Sequence, residues 1–88
     1  MSKRLKSGQE ILFIDRNEEK RVISYRKGKF IYSKGGSLNR CIISTIENGK
    51  KILLSVPRSQ ICTSEQEVRD EVLFIAGLFE QDGWRAEI

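Results

Sequence analysis

Histidine is absent from the 88 residues, and proline occurs once, at Pro57. Without imidazole the chain lacks the commonest general base and the commonest nitrogen ligand for transition metals. Cysteine is scarce: Cys41 and Cys62 stand 21 positions apart, with no second pair. That is neither metal-site spacing nor the framework of a small secreted scaffold, so two reduced, partly buried thiols are expected. Long apolar runs are missing too. Ile11–Ile14 follows the basic, polar stretch Met1 to Ser7 but ends at Asp15, too short for a leader core or a membrane span. A cytoplasmic protein with no membrane contact is expected. No nucleophile elbow, Walker A loop, calcium loop or dinucleotide fingerprint occurs. No catalytic residue, cofactor or metal ligand is therefore nominated, and a non-enzymatic protein is expected.

What is present is charge, unevenly placed. Residues 1–62 hold 14 Lys/Arg against 5 Asp/Glu, a balance of +9, whereas residues 63–88 hold 2 against 7, a balance of −5. A basic half attracts polyanions and an acidic half repels them. An alternative is that the acidic segment complements the basic one, within one molecule or across a dimer.

The length fits one domain over residues 1–88, with a flexible basic tail at 1–7, a sheet across 9–58 and a C-terminal helix at 64–82. Glu10–Arg16, Arg21–Arg26, Lys29–Lys34, Arg40–Glu47 and Lys50–Val56 are rich in β-branched and aromatic residues and read as strands. Asn48-Gly49 lies between two apolar runs and predicts a hairpin, because both central residues of a type I′ turn need positive φ. Lys27-Gly28 is read as a second such turn. Ser64 followed by Glu67 is a capping box, and Gly83 can end the helix in the left-handed conformation. The acids at 65, 67 and 70 suit the positive end of the helix dipole, so part of the acidity is helix-start chemistry. The fold class is α+β: a five-stranded, mostly antiparallel sheet, open or curled into a half-barrel, packed by one helix.

Strand alternation assigns faces. A turn at Asn48-Gly49 pairs Glu47 with Lys50, Thr45 with Ile52, Ile43 with Leu54 and Cys41 with Val56. A turn at Lys27-Gly28 would group Ile23, Tyr25, Phe30 and Tyr32. These two sets together are the expected core beneath the helix. The opposite face carries Val22, Ser24, Ile31, Ser33, Ile42, Ser44, Ile46, Leu53 and Ser55 among the cations. It is the expected binding surface, with Arg26, Lys27, Lys29, Lys34, Arg40 and Lys51 as phosphate contacts and Lys3, Arg4 and Lys6 assisting from the tail. Lys27-Gly28-Lys29-Phe30-Ile31-Tyr32 resembles the start of an RNA-recognition ribonucleoprotein motif, whose sheet aromatics stack on bases. The register reading, however, turns Phe30 and Tyr32 inward. Ser33-Lys34-Gly35-Gly36-Ser37 offers backbone N–H groups for a phosphate nest.

On the helix, Val68, Val72, Ile75 and Phe79 form one stripe beside Ala76, leaving Leu73, Phe74 and Leu78 over. Ile31, Ile42, Leu53, Phe74 and Leu78 are accordingly candidates for a protein partner or a homodimer. In element order alone the chain is similar to dimeric single-strand-binding transcription cofactors; no motif is shared and no residue is carried over. Two functions follow as expectations. The first is a nucleic-acid-binding accessory protein contacting DNA or RNA phosphates, without sequence specificity, through the basic sheet face. The second is a protein–protein regulator, such as a small inhibitor or adaptor.

Overall fold

The computed structural model describes residues 4–36 and 39–88. Strands β1 (Glu10–Asn17), β2 (Val22–Gly35), β3 (Arg40–Glu47) and β4 (Lys50–Pro57) follow one another as antiparallel neighbours. A single 3-10 turn leads into the two-residue β5 (Ile61–Cys62), the helix α1 (Glu65–Leu78) and the two-residue β6 (Arg85–Ala86). The sheet order is β4-β3-β2-β1-β5, with β6 added in parallel beside the start of β2. The expected α+β class holds: a mostly antiparallel sheet, not closed, packed against one helix. No helix among the described residues is long and apolar enough to cross a membrane.

The β3–β4 hairpin has the register that Asn48-Gly49 predicts. Asn48 and Gly49 take φ of 52° and 78°, and the pairs Glu47–Lys50, Thr45–Ile52, Ile43–Leu54 and Cys41–Val56 all form.

The second predicted turn does not exist. Residues 22–35 form one 14-residue strand running straight through Lys27-Gly28. The chain reverses instead at residues 18–21, where Lys20 N–H donates to Asn17 Oδ1 at 3.0 Å and Arg21 takes φ 54°. Gly28 serves a different purpose. Strand β2 pairs with β1 along Val22–Lys29 and with β3 from Lys29 onward. At the changeover a Cβ on Gly28 would lie 2.7 Å from the Ser44 carbonyl oxygen and 3.1 Å from Phe13 Cε1. Glycine is required by close approach there, since a side chain would fill the angle between the two pairings.

This single strand also splits the expected core. Ile23 and Tyr25 lie on one face of β2 and Phe30 on the other, because side chains alternate along a strand. Phe30, Cys41, Ile43 and Val56 close with Ile11, Phe13 and Ile61 on the face away from the helix, with Leu5 and Leu54 at the margin. Ile23 joins Ile14, Cys62, Val68, Val72, Ile75 and Ala76 beneath α1, with Tyr25 alongside. Strand β1 is therefore buried on both faces, Ile11 and Phe13 into one core and Ile14 into the other. That accounts for its unbroken apolar run. Tyr32 joins neither core and stays 52% exposed.

The helix begins at the predicted cap, with the Ser64 half of the capping box formed and, among the described residues, no return bond from Ser64 N–H to the Glu67 carboxylate. Ser64 is extended at φ −131°, ψ 153°, and its Oγ accepts the Glu67 N–H at 3.2 Å. The α-helix stops at Leu78, short of the expected 82, and a 3-10 turn over Glu80–Asp82 carries the chain to Gly83 at φ 85°. The end is clamped to the sheet. Arg85 N–H donates to Arg21 O and Glu87 N–H to Ile23 O, while the Arg16 guanidinium lies 5.3 Å from the Trp84 ring and 5.4 Å from Phe79. Of the expected basic tail, residues 1–3 lie outside the described residues, Leu5 packs on the first core, and Gly8 N–H donates to Phe30 O.

Candidate functional site

Helix α1 packs on β1, β2, β5 and β6. The same sheet face continues past the helix over the rest of β2, β3 and β4. Pairing fixes what it carries. Ile42 lies opposite Ser55, Ser44 opposite Leu53, and Ile46 opposite Lys51. From the next strands, Lys29 lies opposite Ser44 and Tyr32 opposite Ile42, while Glu10 and Leu12 sit across from Lys29 and Lys27.

A groove of about 640 Å³ opens on this face where β3 leaves β2. Pairing between these strands starts at Lys29–Ser44, so Thr45 and Ile46 diverge from β2. Two hydrogen bonds bridge the gap beneath. Thr45 Oγ1 donates to Lys27 O at 2.8 Å, and Arg26 Nη2 donates to Ile46 O at 2.9 Å. Lys27, Lys29 and Lys51 line the groove, with Leu12 and Ile46 as apolar wall, Thr63 beside the helix start and Glu10 as the one acid.

The six cations expected on one surface thus divide. Lys27, Lys29 and Lys51 converge on the groove, and no hydrogen bond or ion pair among the described residues engages their ammonium groups. Arg26 belongs to the other face: its guanidinium lies 6.0 Å from the Phe13 ring, and Nη1 is 3.7 Å from Glu47 Oε1. Arg40 shares the groove's face but spends its fork on Ser55, with Nε to Oγ at 2.9 Å and Nη2 to the backbone oxygen at 2.7 Å. Lys34 is exposed near the far end of β2. Val22 and Ser24 also leave the expected surface, since they alternate with Ile23 and Tyr25 on β2 and Val22 is buried. In the predicted phosphate nest, Gly35 and Gly36 take φ of 69° and 78°, while Ser37 lies outside the described residues, as does Lys3 of the tail.

The aliphatic candidates also separate. Ile42 and Leu53 share the open sheet face, Leu53 at 63% exposure, and the equally exposed Ile46 stands near them. Phe74 and Leu78, one helical turn apart, are exposed on α1 at 61% and 63%. Ile31 is half-buried at a register shift in β2.

Among the described residues, two titratable groups are displaced from their ordinary ranges, and neither becomes more reactive. Burial pushes the Cys62 thiol up, and the carboxylates of Glu67 and Glu71 push it further. A thiol held protonated is a poor nucleophile. Tyr25 is likewise raised, first by desolvation and then by Glu65, whose Oε1 accepts the phenol O–H at 3.2 Å. Both belong to the packing between α1 and the sheet. Among the described residues, no group of three or more His, Cys, Asp or Glu could hold a metal ion. The chemistry this face offers is attraction of an anion by three exposed ammonium groups over a partly apolar floor.

Sequence reasoning missed Glu10 and Tyr32 as members of this face. Glu10 enters through its pairing with Lys29, and Tyr32 through an irregularity in β2 that the local sequence does not signal.

The chain matches no family model, no curated protein and no solved structure.

Proposed function

We propose that the protein is a non-enzymatic nucleic-acid-binding module that holds a phosphate backbone against Lys27, Lys29 and Lys51. The observation carrying this reading is their convergence on one groove with no internal partner, while Arg26 and Arg40 are spent on the protein itself. Ammonium groups on flexible stems contact phosphates as point charges, which gives affinity without base specificity. A cytoplasmic protein fits the two free, buried cysteines.

The test is fluorescence anisotropy of labelled DNA and RNA oligonucleotides across a salt series. Three phosphate contacts on a single strand give a slope of about −2 in log affinity against log salt. The double substitution Lys27→Glu and Lys29→Glu is expected to abolish binding, whereas Lys34→Glu, outside the groove, weakens it far less. No binding at low salt, or equal binding by the double variant, rejects the reading.

A second reading is a protein contact through the exposed Ile46 and Leu53, with a second copy of the chain as the occupant. It is favoured by the place of Leu53 on β4, the edge strand of the sheet, and of Ile46 on the neighbouring β3. Light scattering would then give twice the monomer mass, and Leu53→Glu would return it to the monomer value at any salt concentration. A monomer at all concentrations would exclude this homodimer.

A further inference from the structure

Building on the phosphate-binding reading, we infer that the ligand is single-stranded and that Tyr32 is the platform on which one of its bases stacks. The argument starts from strand alternation. Phe30 and Tyr32 are two residues apart, so a regular strand would point both rings into the core that holds Phe30. They do not share it. Pairing passes from Phe30–Ile43 to Tyr32–Ile42, leaving Ile31 as an extra residue on β2. Bulges of this kind re-aim the side chain that follows. Its pairing places Tyr32 opposite Ile42, on the side away from Cys41 and Ile43, with the strand there also bordering a hollow lined by Leu5, Phe30 and Cys41; Tyr32 is 52% exposed while Phe30 is 7% exposed. The chain gives up burial of an aromatic ring to place it on the lysine-bearing face.

The other aromatics are elsewhere. Phe13 and Phe30 are buried, Tyr25, Phe79 and Trp84 pack around the helix, and Phe74 is on the helix surface. Tyr32 therefore stands as the aromatic of the open sheet, with Lys29 preceding it on the same face and Ile42 across from it. An aromatic ring beside cations that track a phosphate backbone is the combination that binds single strands, since every unpaired base offers a π-face. A duplex keeps its bases stacked inside and cannot present one to a ring on a sheet.

The test measures anisotropy with a 15-nucleotide DNA, its RNA equivalent and the corresponding DNA duplex, for wild type, Tyr32→Ala and Tyr32→Phe. One stacked base corresponds to roughly a 5- to 150-fold loss of single-strand affinity in Tyr32→Ala. Tyr32→Phe keeps the ring and is expected to restore most of that affinity, and both variants are expected to melt with wild type because the side chain is exposed. Equal use of DNA and RNA means that stacking and phosphate contact suffice; a preference for RNA would add a contact to its 2′-hydroxyl. Duplex binding as tight as single-strand binding, or a Tyr32→Ala variant within twofold of wild type while Lys27→Glu and Lys29→Glu still abolish binding, overturns the stacking inference alone. A wild-type protein that binds none of the three overturns the phosphate reading with it.

Discussion

Replacing Gly28 with alanine tests the corner on which both cores depend. The added Cβ would sit 2.7 Å from the Ser44 carbonyl oxygen, 3.1 Å from Phe13 Cε1 and 3.4 Å from Phe13 Cδ1. None of these can swing aside. The carbonyl belongs to the backbone of β3 at its first pair with β2, and the neighbouring Thr45 is tied to Lys27 O. Phe13 is 2% exposed and packed on all sides. Forcing a methyl group into such a site costs about 1–3 kcal/mol. Restricting the unfolded chain by losing a glycine returns about 0.4–1 kcal/mol. The difference runs from about 0 to about 2.6 kcal/mol with a midpoint of about 1.3 kcal/mol, which lowers the thermal midpoint of a domain this size by about 5–10 °C. Thermal and urea unfolding followed by circular dichroism would measure it, with an unchanged urea slope showing that the unfolding unit is the same. Gly77→Ala is the matched control. Gly77 lies in α1 with nothing within 4 Å of the added Cβ, so alanine there is expected to stabilise by about 0.5–1 kcal/mol. A Gly28→Ala protein that melts at or above wild type would refute the close-approach argument.

Ser64→Ala removes the acceptor for the Glu67 N–H and is expected to cost about 1 kcal/mol in urea unfolding, whereas Ser64→Asp keeps most of the cap. Cys62 gives an alkaline limit. Its thiol ionises at higher pH in the folded chain than in the unfolded one, so its contribution is full below the unfolded value and is lost as pH rises through the folded value. Stability should fall with rising pH across the cysteine range, and Cys62→Ala should flatten that part of the profile even though the variant is less stable throughout. A profile equally steep with and without the thiol would count against this assignment.

The parts of the fold legible in the sequence are those whose signal has one physical meaning. Asn48-Gly49 admits a type I′ turn and little else, so it fixed every pair of the β3–β4 hairpin. Ser64 and Glu67 announce a helix start for the same reason. Gly28 has two possible meanings, a turn residue or a point of close approach, and the second depends on Ser44 and Phe13, which are distant in sequence. The misplaced core follows from that single ambiguity. The bulge at Ile31 arises from how β2 meets β3 and leaves no local trace, so the outward Tyr32 could not be read from alternation. Composition supplies the cations but not where each one is used. Which of them remain uncommitted depends on partners such as Glu47 and Ser55, reached only once the strands have paired.

Because β2 serves as a rail for β1 along one half and for β3 along the other, both hairpins hang on one strand. The two ladders meet only at Lys29, so a fluctuation that lifts that residue disturbs both hairpins at once. Tolerance to cutting or insertion follows the same geometry. The exposed reversal can be lengthened at residues 18–20 without touching either ladder, short of Arg21, whose backbone oxygen holds Arg85 N–H. The Lys27-Gly28 step, which has the composition of a loop, is the place where one interruption would divide the protein's hydrogen-bonded framework in two.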